Sequence, residues 1–255
     1  MNRPLAGSRI LVVGGTAGIG QVASRRMLAD GAAAITLVGR NPERGRAAAA
    51  TLGGGVPVYF VDADAGDPSQ CEAMVAETVE LMGGVDVLLS CAGGEPMPRL
   101  LGDIPVAGLM DEIKDTLAPV ITPARAVLPF MAKQGGGSII CVASDAGKLA
   151  TPGEVAIGTA MAGIMMFCRA MAYDAKRQSI RVNCITPSIV RGTGLYDRLM
   201  ADPFAGKLFR KAEQMADLGV AVPDDIAAMV SFLAGPDSAR VTGQTISITG
   251  GISAI

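Results

Sequence analysis

Short apolar segments alternate with longer segments of helical periodicity along almost the whole chain. The apolar segments are rich in Val, Ile and Leu and lack the polar alternation of a half-exposed strand. This pattern is typical of strands buried on both faces of a parallel sheet. Such strands are predicted at residues 9–13, 34–38, 56–61, 85–90, 138–143, 180–185 and 245–249. Helices are predicted at about residues 20–30, 42–52, 68–82, 104–133, 153–178 and 223–234.

The regular alternation of strands and helices predicts an α/β fold. Right-handed crossovers between parallel strands produce a doubly wound sheet, here of about seven strands, with helices on both faces. No linker, repeat or change of composition divides the chain, so residues 1–255 are interpreted as a single domain. Residues 186–222 are rich in Gly, Pro and Met and are predicted to form a mobile substrate flap over the carboxyl edge of the sheet.

The composition excludes several classes of function. The net charge of −2 leaves no surplus of basic residues for binding nucleic acid. The chain has no histidine, which excludes histidine triads and histidine metal sites. The 5 cysteines form no CxxC pair and predict free thiols in a reducing cytoplasm, with no metal site. The longest uncharged, mostly apolar run, residues 155–168, is too short to span a membrane, so none is expected as a partner.

A glycine-rich turn follows the first predicted strand directly. Residues 13–20 read VGGTAGIG, so Gly14, Gly18 and Gly20 lead into the next helix. Glycine allows a tight turn and brings backbone N–H groups against a pyrophosphate at the N-terminus of a helix. A plain glycine turn is the alternative interpretation. The order of strand, turn, helix and second strand favours a dinucleotide-binding loop.

Further motifs occur in the order found in one family. They are Asp64-Ala65, the turn Ser90–Gly93, the segment Arg181–Asn183 with Pro187-Ser188, and Thr242–Gln244 with Gly250-Gly251. With the glycine turn, they make the chain resemble the short-chain dehydrogenase/reductase (SDR) family over nearly its whole length. The resemblance implies a Rossmann-type sheet, a nicotinamide cofactor, a small-molecule substrate and assembly as a homodimer or homotetramer.

The resemblance also assigns contacts to the cofactor. The implied residues are Gly14, Thr16, Gly18, Ile19 and Gly20 at the pyrophosphate, Asp64 and Ala65 beside the adenine, and Cys91, Ala92, Gly93 and Pro187 from the later motifs.

The end of the second predicted strand bears on the choice between NADP and NAD. An acidic residue here would bind the ribose 2′-hydroxyl and repel a 2′-phosphate. Gly39 carries no charge, and the guanidinium of Arg40 suits a phosphate. NADP is therefore the preferred cofactor and NAD the alternative. The competing interpretation is that Arg40 is an ordinary solvated side chain.

The catalytic positions depart from the family's pattern. The family uses Asn, Ser, Tyr and Lys, with Tyr and Lys four residues apart on one helix. Alignment from the strand SIICVAS retains Ser144 and places Ile157 for Tyr and Met161 for Lys. Thr116 falls at the Asn position. Without a positioned acid, carbonyl reduction loses roughly 10²–10⁴-fold in rate, so the usual mechanism does not follow.

Other groups are candidates for the missing proton donor. Glu154 is the first candidate because it lies one turn before Ile157, and a carboxyl in an apolar pocket is able to act as an acid. The further candidates are Asp145, Glu95, Lys148 and Tyr196. Ile157, Met161 and Met165 recur at helical spacing, as in a face packed against apolar groups, and so favour an apolar substrate.

Three functions are consistent with these residues. The first is an NADP(H)-dependent oxidoreductase with a relocated proton donor or a substrate that needs none. The second is a non-redox lyase, isomerase or cyclase on the same scaffold, since a fold does not determine its chemistry. The third is a catalytically silent protein that binds the cofactor.

Overall fold

The computed structural model describes residues 3–93 and 96–253. Seven parallel strands form one sheet in the order β3-β2-β1-β4-β5-β6-β7. The strands are β1 (Arg9–Val13), β2 (Ala34–Gly39), β3 (Val58–Asp62), β4 (Val87–Ser90), β5 (Gly137–Val142), β6 (Ile180–Pro187) and β7 (Thr245–Ile248). The α-helices of the described residues are α1 (Gly18–Ala29), α2 (Pro42–Leu52), α3 (Pro68–Met82), α4 (Val106–Gln134), α5 (Val155–Ala175), α6 (Gly194–Ala201), α7 (Pro203–Gln214) and α8 (Pro223–Ala234).

Side-chain caps mark the starts of α2 and α3. The side-chain oxygen of Asn41 accepts a hydrogen bond of 2.8 Å from the backbone N–H of Arg44. Asp67 accepts one of 2.9 Å from the N–H of Gln70. A proline follows each cap at the first helical position, where its missing N–H is not needed. Both helices therefore begin where the sequence predicts.

Helices cover both faces of the sheet. One core joins the sheet to α3, α4 and α5, and the other joins it to α1, α2 and α8. On β4, Leu88 belongs to the first core and Leu89 to the second, and neither side chain is exposed to solvent. Burial on both faces is the reason that the strands are continuous apolar segments without polar alternation.

The structure confirms the predicted fold class of a doubly wound parallel sheet with helices on both faces. The strand ends differ from the prediction by one or two residues. β3 begins at Val58, and β6 continues to Pro187, where it still pairs with Ile248 of β7. This pairing extends β6 beyond its apolar segment.

The segment 186–222, which is predicted to form a mobile substrate flap, contains two helices that were not predicted from the sequence. It begins with the last residues of β6 and contains α6 and α7. The side chain of Thr193 caps α6, and that of Asp202 accepts from the N–H groups of Phe204 and Ala205 at the start of α7. Both helices are short, and their caps were missed among the Gly and Pro residues around them. Whether the segment moves stays a prediction.

Helix α5 is strongly apolar. With the 3-10 turn that follows, Val155–Gln178 has the length and mean hydropathy (1.6) of a membrane span. Its most apolar window is 44% buried within the protein, however, where α5 packs against α4 and β6. A helix buried in the core of a soluble protein has the same composition, so these values do not indicate a span.

Candidate functional site

A cleft of about 1540 Å³ opens at the carboxyl edge of the sheet. β1 pairs with β2 on one side and with β4 on the other, so the connections leave β1 and β4 in opposite directions and create a crevice between them. Every residue that the sequence assigns to the cofactor lines this cleft, as do Thr116, Ser144, Glu154 and Ile157. The tertiary structure thus brings the predicted binding and catalytic positions into one site.

Close backbone contacts shape the glycine turn at one end of the cleft. A Cβ on Gly20 would lie 2.3 Å from the carbonyl oxygen of Gly14. A Cβ on Gly14, whose φ is +86°, would lie 2.7 Å from the backbone nitrogen of Ala92. Among the described residues no side chain caps the start of α1 at Ala17. The first N–H groups of the helix therefore remain available to an anion in the cleft.

Two arginines lie at the outer end of the glycine turn. The Nη1 atom of Arg40 is 3.9 Å from Oδ2 of Asp64, and both side chains are well exposed (67% and 43%). Such a pair contributes little to stability, so Arg40 is able to turn towards a ligand. The Nε atom of Arg44 donates to Oγ1 of Thr16 across 3.3 Å. This end of the cleft is therefore cationic.

Ser90 connects the end of β4 to the middle of α4. Pro123 in α4 has no N–H, so the carbonyl of Pro119 lacks its helical donor. The hydroxyl of Ser90 lies 3.3 Å from this carbonyl oxygen and 2.9 Å from that of Val120. The serine thus supplies a hydrogen-bond donor to carbonyl oxygens beside the prolines of α4 and holds the helix against the sheet. Thr116, one turn earlier on α4, donates to the carbonyl of Glu112 (3.0 Å) at the cleft wall.

Two glycines allow α5 to pack closely against the turn that carries Ser144. A Cβ on Gly158 would lie 2.7 Å from the carbonyl oxygen of Ala146. A Cβ on Gly147 would lie 2.6 Å from the backbone nitrogen of Ala162. The first turns of α5 are therefore in backbone contact with the residues that follow Ser144. The Oγ of Ser144 accepts from the N–H of Ala146 (3.2 Å), which leaves its own proton for a ligand.

Glu154 immediately precedes α5 on the cleft wall. Its side chain does not cap the helix. Burial raises the pKa of Glu154 above its ordinary value of 4.5, and a hydrogen bond with Thr151 opposes this shift. No ion pair to Glu154 occurs among the described residues. The site thus contains a desolvated carboxyl without a cationic partner.

The positions aligned with the family's Tyr and Lys have different surroundings. Ile157 is 5% exposed and lines the cleft one turn after Glu154. Met161 does not line the cleft and packs against the core beneath α5. Met165, at the next helical repeat, belongs to that core. The predicted apolar stripe is therefore divided between the cleft wall at Ile157 and the interior.

Lys148 is a wrong prediction for the site. Its Nζ donates to Oγ of Ser247 across 2.7 Å, and its side chain does not line the cleft. Asp145 does line the cleft but is 5% exposed and accepts hydrogen bonds from the hydroxyls of Ser247 and Ser253. This polar network joins the turn after Ser144 to β7 and the C-terminal segment. The charged groups of Lys148 and Asp145 therefore both bond within this network.

Tyr196 and Glu213 join α6 to α7. The Tyr196 hydroxyl lines the cleft and donates to Oε1 of Glu213 across 2.8 Å. Arg191 donates to the same oxygen across 2.9 Å. Both bonds hold the pKa of Glu213 below its usual range. The phenol is thus held by a carboxylate in this arrangement. Glu95, the remaining sequence candidate, lies outside the described residues.

Several lining residues were not identified from the sequence. Thr193 stands opposite the glycine turn, since a Cβ on Gly18 would lie 3.8 Å from its Cγ2 atom. The sequence signal that could have identified Thr193 is its position as the cap of α6. The α6–α7 segment adds an apolar wall. Its members are Leu195, Leu199, Leu208, Phe209 and Met215. Short helices of the missed segment supply this wall, so their side chains could not be placed from sequence.

The thiols are free and largely buried. Cys71, Cys141, Cys168 and Cys184 are buried, and Cys91 is half-buried in the cleft. Burial raises the pKa of Cys91 to about 12, so this thiol is not a nucleophile near neutral pH. Across residues 3–93 and 96–253 no three Cys, Asp or Glu side chains are grouped to hold a metal ion.

The sequence resembles known dehydrogenases over most of its length. The profile of the short chain dehydrogenase family matches residues 8–203. Dehydrogenase/reductase SDR family member 4 of Bos taurus is 32% identical over 253 residues, which cover 97% of this chain and 88% of the relative. The 7alpha-hydroxysteroid dehydrogenase of Bacteroides fragilis is 28% identical and is covered over 93% of its length, with 96% of this chain matched.

Solved structures have the same fold. Levodione reductase superimposes with a TM-score of 0.90 at 26% identity, covering 97% of this chain and 98% of the other. A 7α-hydroxysteroid dehydrogenase in complex with NADH and 7-oxo glycochenodeoxycholic acid gives a TM-score of 0.89 at 25% identity, covering 98% of this chain and 96% of the other.

Substitution of two glycines of α5, Gly158 and Gly163, tests the close contact between this helix and the turn after Ser144. Gly158→Ala should destabilise the protein by about 1–3 kcal/mol, because the new Cβ meets a backbone carbonyl that cannot move freely. Gly163→Ala on the same helix is the matched control. Its Cβ meets only Leu117 at 3.4 Å, so it should be neutral or stabilising by up to about 1 kcal/mol. Equal effects in denaturant unfolding would contradict the proposed contact.

The pKa of Glu154 predicts a pH dependence of stability. Because the folded-state pKa is raised, the contribution of this carboxyl is fully present below its ordinary value of 4.5 and is lost as the pH rises through the folded-state value. The unfolding free energy of Glu154→Gln, minus that of the wild type, should therefore increase with pH over this range.

Glu213→Gln is the control of opposite sign. The pKa of Glu213 is lowered, so its contribution is present above 4.5 and is lost as the pH falls. Urea unfolding at a series of pH values measures both differences. A flat difference for Glu154→Gln would show that its carboxyl is not desolvated.

Proposed function

The chain belongs to the short chain dehydrogenase family, and from this premise we propose that it is an NADP(H)-dependent oxidoreductase with a rearranged catalytic site. The observation that carries the proposal is the single cleft that holds the glycine turn, Ser144 and the carboxyl of Glu154 together.

The residues at the glycine turn fit a dinucleotide. The close backbone contacts of Gly14 and Gly20 fix the turn against the start of α1, and the uncapped start of α1 offers N–H groups to a pyrophosphate. Asp64 and Ala65 would lie beside the adenine, with Thr16 and Ile19 in the turn. Cys91, Ala92, Gly93 and Pro187 would line the path towards Ser144. When bound, the nicotinamide donates or accepts a hydride.

The cationic end of the cleft supports NADP over NAD. Arg40 is exposed and only loosely paired with Asp64, so its guanidinium is available to a 2′-phosphate. Arg44 holds the hydroxyl of Thr16 nearby. Gly39 at the end of β2 presents no carboxylate that would repel this phosphate.

The catalytic part of the proposal concerns Ser144, Glu154, Ile157 and Thr116. Ser144 donates a hydrogen bond to the reacting group of the substrate, because its Oγ already accepts one from Ala146. Glu154 supplies the proton in place of the family's Tyr, since burial favours its protonated form. Ile157 and the wall of α6 and α7 exclude water and bind an apolar substrate. Thr116 stands at the Asn position, where its hydroxyl serves its own helix.

We also propose that the protein assembles as a homo-oligomer and is located in the cytoplasm. Met110 on α4 and Met166 and Tyr173 on α5 are 68%, 59% and 74% exposed. Apolar groups on the outer faces of these helices support a homodimer or homotetramer. The free thiols support a reducing cytoplasm.

Calorimetric titration tests the cofactor preference. Arg40→Glu should weaken NADPH binding roughly tenfold or more, about 1.4 kcal/mol, because a carboxylate would face the 2′-phosphate. NADH binding should be unchanged, since NADH lacks this group. The control Arg46→Glu makes the same charge change on the exposed face of α2 and should preserve the preference. Equal loss in both variants would indicate a general effect of charge.

Hydride transfer is followed by the nicotinamide absorbance with apolar carbonyl and imine acceptors. Ser144→Ala and Glu154→Gln should each lower kcat/KM by about 10²–10⁴-fold, because each removes a donor to the reacting group. Glu80→Gln, on the outer face of α3, should have no effect. Turnover without a change in absorbance would favour the non-redox alternative. Cofactor binding without any turnover would favour a silent binding protein.

A further inference from the structure

We propose that the hydride acceptor is a cyclic imine with an apolar body, bound with its nitrogen against the carboxyl of Glu154. This inference rests on the oxidoreductase function proposed above and names its substrate class. It follows from the charge and the hydrogen-bonding groups at the reacting end of the cleft.

The carboxyl of Glu154 lines the reacting end of the cleft, where the guanidinium of Arg99 is paired with Glu112. Glu154 has a hydrogen bond with Thr151 and no ion pair among residues 3–93 and 96–253. Lys148 is bonded to Ser247 outside the cleft lining. Met161, at the position of the family's Lys, packs against the core. A buried carboxylate without a cation is costly, and a ligand that carries a positive charge would remove this cost.

The chemistry of an imine matches this arrangement. An imine nitrogen is basic enough to take the proton of a carboxylic acid before reduction, whereas a carbonyl oxygen is not. The proton passes from Glu154 to the nitrogen and leaves a carboxylate beside an iminium cation. In apolar surroundings such an ion pair is strong, because the screening by water is small. The opposite charges therefore hold the substrate nitrogen at Glu154.

The reduction then needs no further acid. A hydride from the reduced cofactor bonds to the imine carbon, and the electron pair of the C=N double bond moves to nitrogen. The product is a neutral secondary amine, and the Glu154 carboxylate regains a proton from solvent. The sum is imine, reduced nicotinamide and one proton giving amine and oxidised nicotinamide. A ketone would instead develop negative charge on oxygen, which a carboxylate repels and only the protonated form of Glu154 could neutralise.

The walls of the cleft fit the rest of such a molecule. Ile157 lies one turn after Glu154, and Leu195, Leu199 and Phe209 face the same cleft from the α6–α7 segment. The hydroxyl of Tyr196 is bonded to Glu213 and presents no free donor for a carbonyl in this arrangement. A carbocyclic ring would pack against the apolar side chains while its nitrogen meets Glu154.

Two matched ring systems test the proposal. 3,4-Dihydroisoquinoline and 1-tetralone have the same bicyclic shape, and their reduced products are tetrahydroisoquinoline, a cation at neutral pH, and neutral 1-tetralol. Calorimetry with NADPH present measures binding of both products without turnover, because product and cofactor are then both reduced. Tetrahydroisoquinoline should bind at least tenfold more tightly than 1-tetralol. The imine should likewise be reduced faster than the ketone.

Variants assign this preference to the carboxyl. Glu154→Gln should abolish the tenfold preference for the cation, and Glu154→Asp should retain part of it, which separates loss of charge from loss of structure. Glu80→Gln should leave it unchanged. Equal or undetectable binding of the two products, or a preference that survives Glu154→Gln, would overturn the imine assignment. Reduction of 1-tetralone in that case would leave the oxidoreductase function standing, whereas no binding of NADPH would refute that function itself.

Discussion

The architecture of the site depends on backbone segments that approach more closely than any side chain allows. At Gly14 and Gly20 a Cβ would lie 2.7 Å and 2.3 Å from neighbouring backbone atoms. These contacts press the start of α1 against the turn after β4. The same constraint recurs at Gly147 and Gly158, where α5 meets the turn after Ser144. The same close backbone packing thus places both the uncapped start of α1 and the carboxyl of Glu154 on a single cleft.

The rearranged residues have consistent physical effects. Ser90 replaces the missing amide donor of Pro123 and so secures α4 to the sheet. Met161 packs against the core, and Ile157 makes the cleft wall apolar. Burial then raises the pKa of Glu154, since no cation is paired with it among the described residues. The reacting end of the cleft thereby combines an apolar wall with the carboxyl of Glu154, which is the basis of both functional proposals.

Prediction from sequence succeeded where local chemistry decides the outcome and failed where long-range contacts do. The caps at Asn41 and Asp67 placed two helix starts correctly, because each cap bonds to an amide only three residues away. Lys148 was misplaced as a charge of the site, because its partner Ser247 lies on a distant strand. The helices α6 and α7 were not predicted, since both are short and lie among glycines and prolines.

The sequence by itself determined the doubly wound sheet and the glycine turn, because periodicity and chain order are local properties. Only the tertiary structure decided the burial of the polar groups and the partners to which they bond. It partly buried Glu154 without an ion pair among the described residues, tied Tyr196 to Glu213 and turned Lys148 towards β7. The physical reason is that desolvation and ion pairing depend on segments far apart in the chain, which meet only when the sheet and its helices are packed.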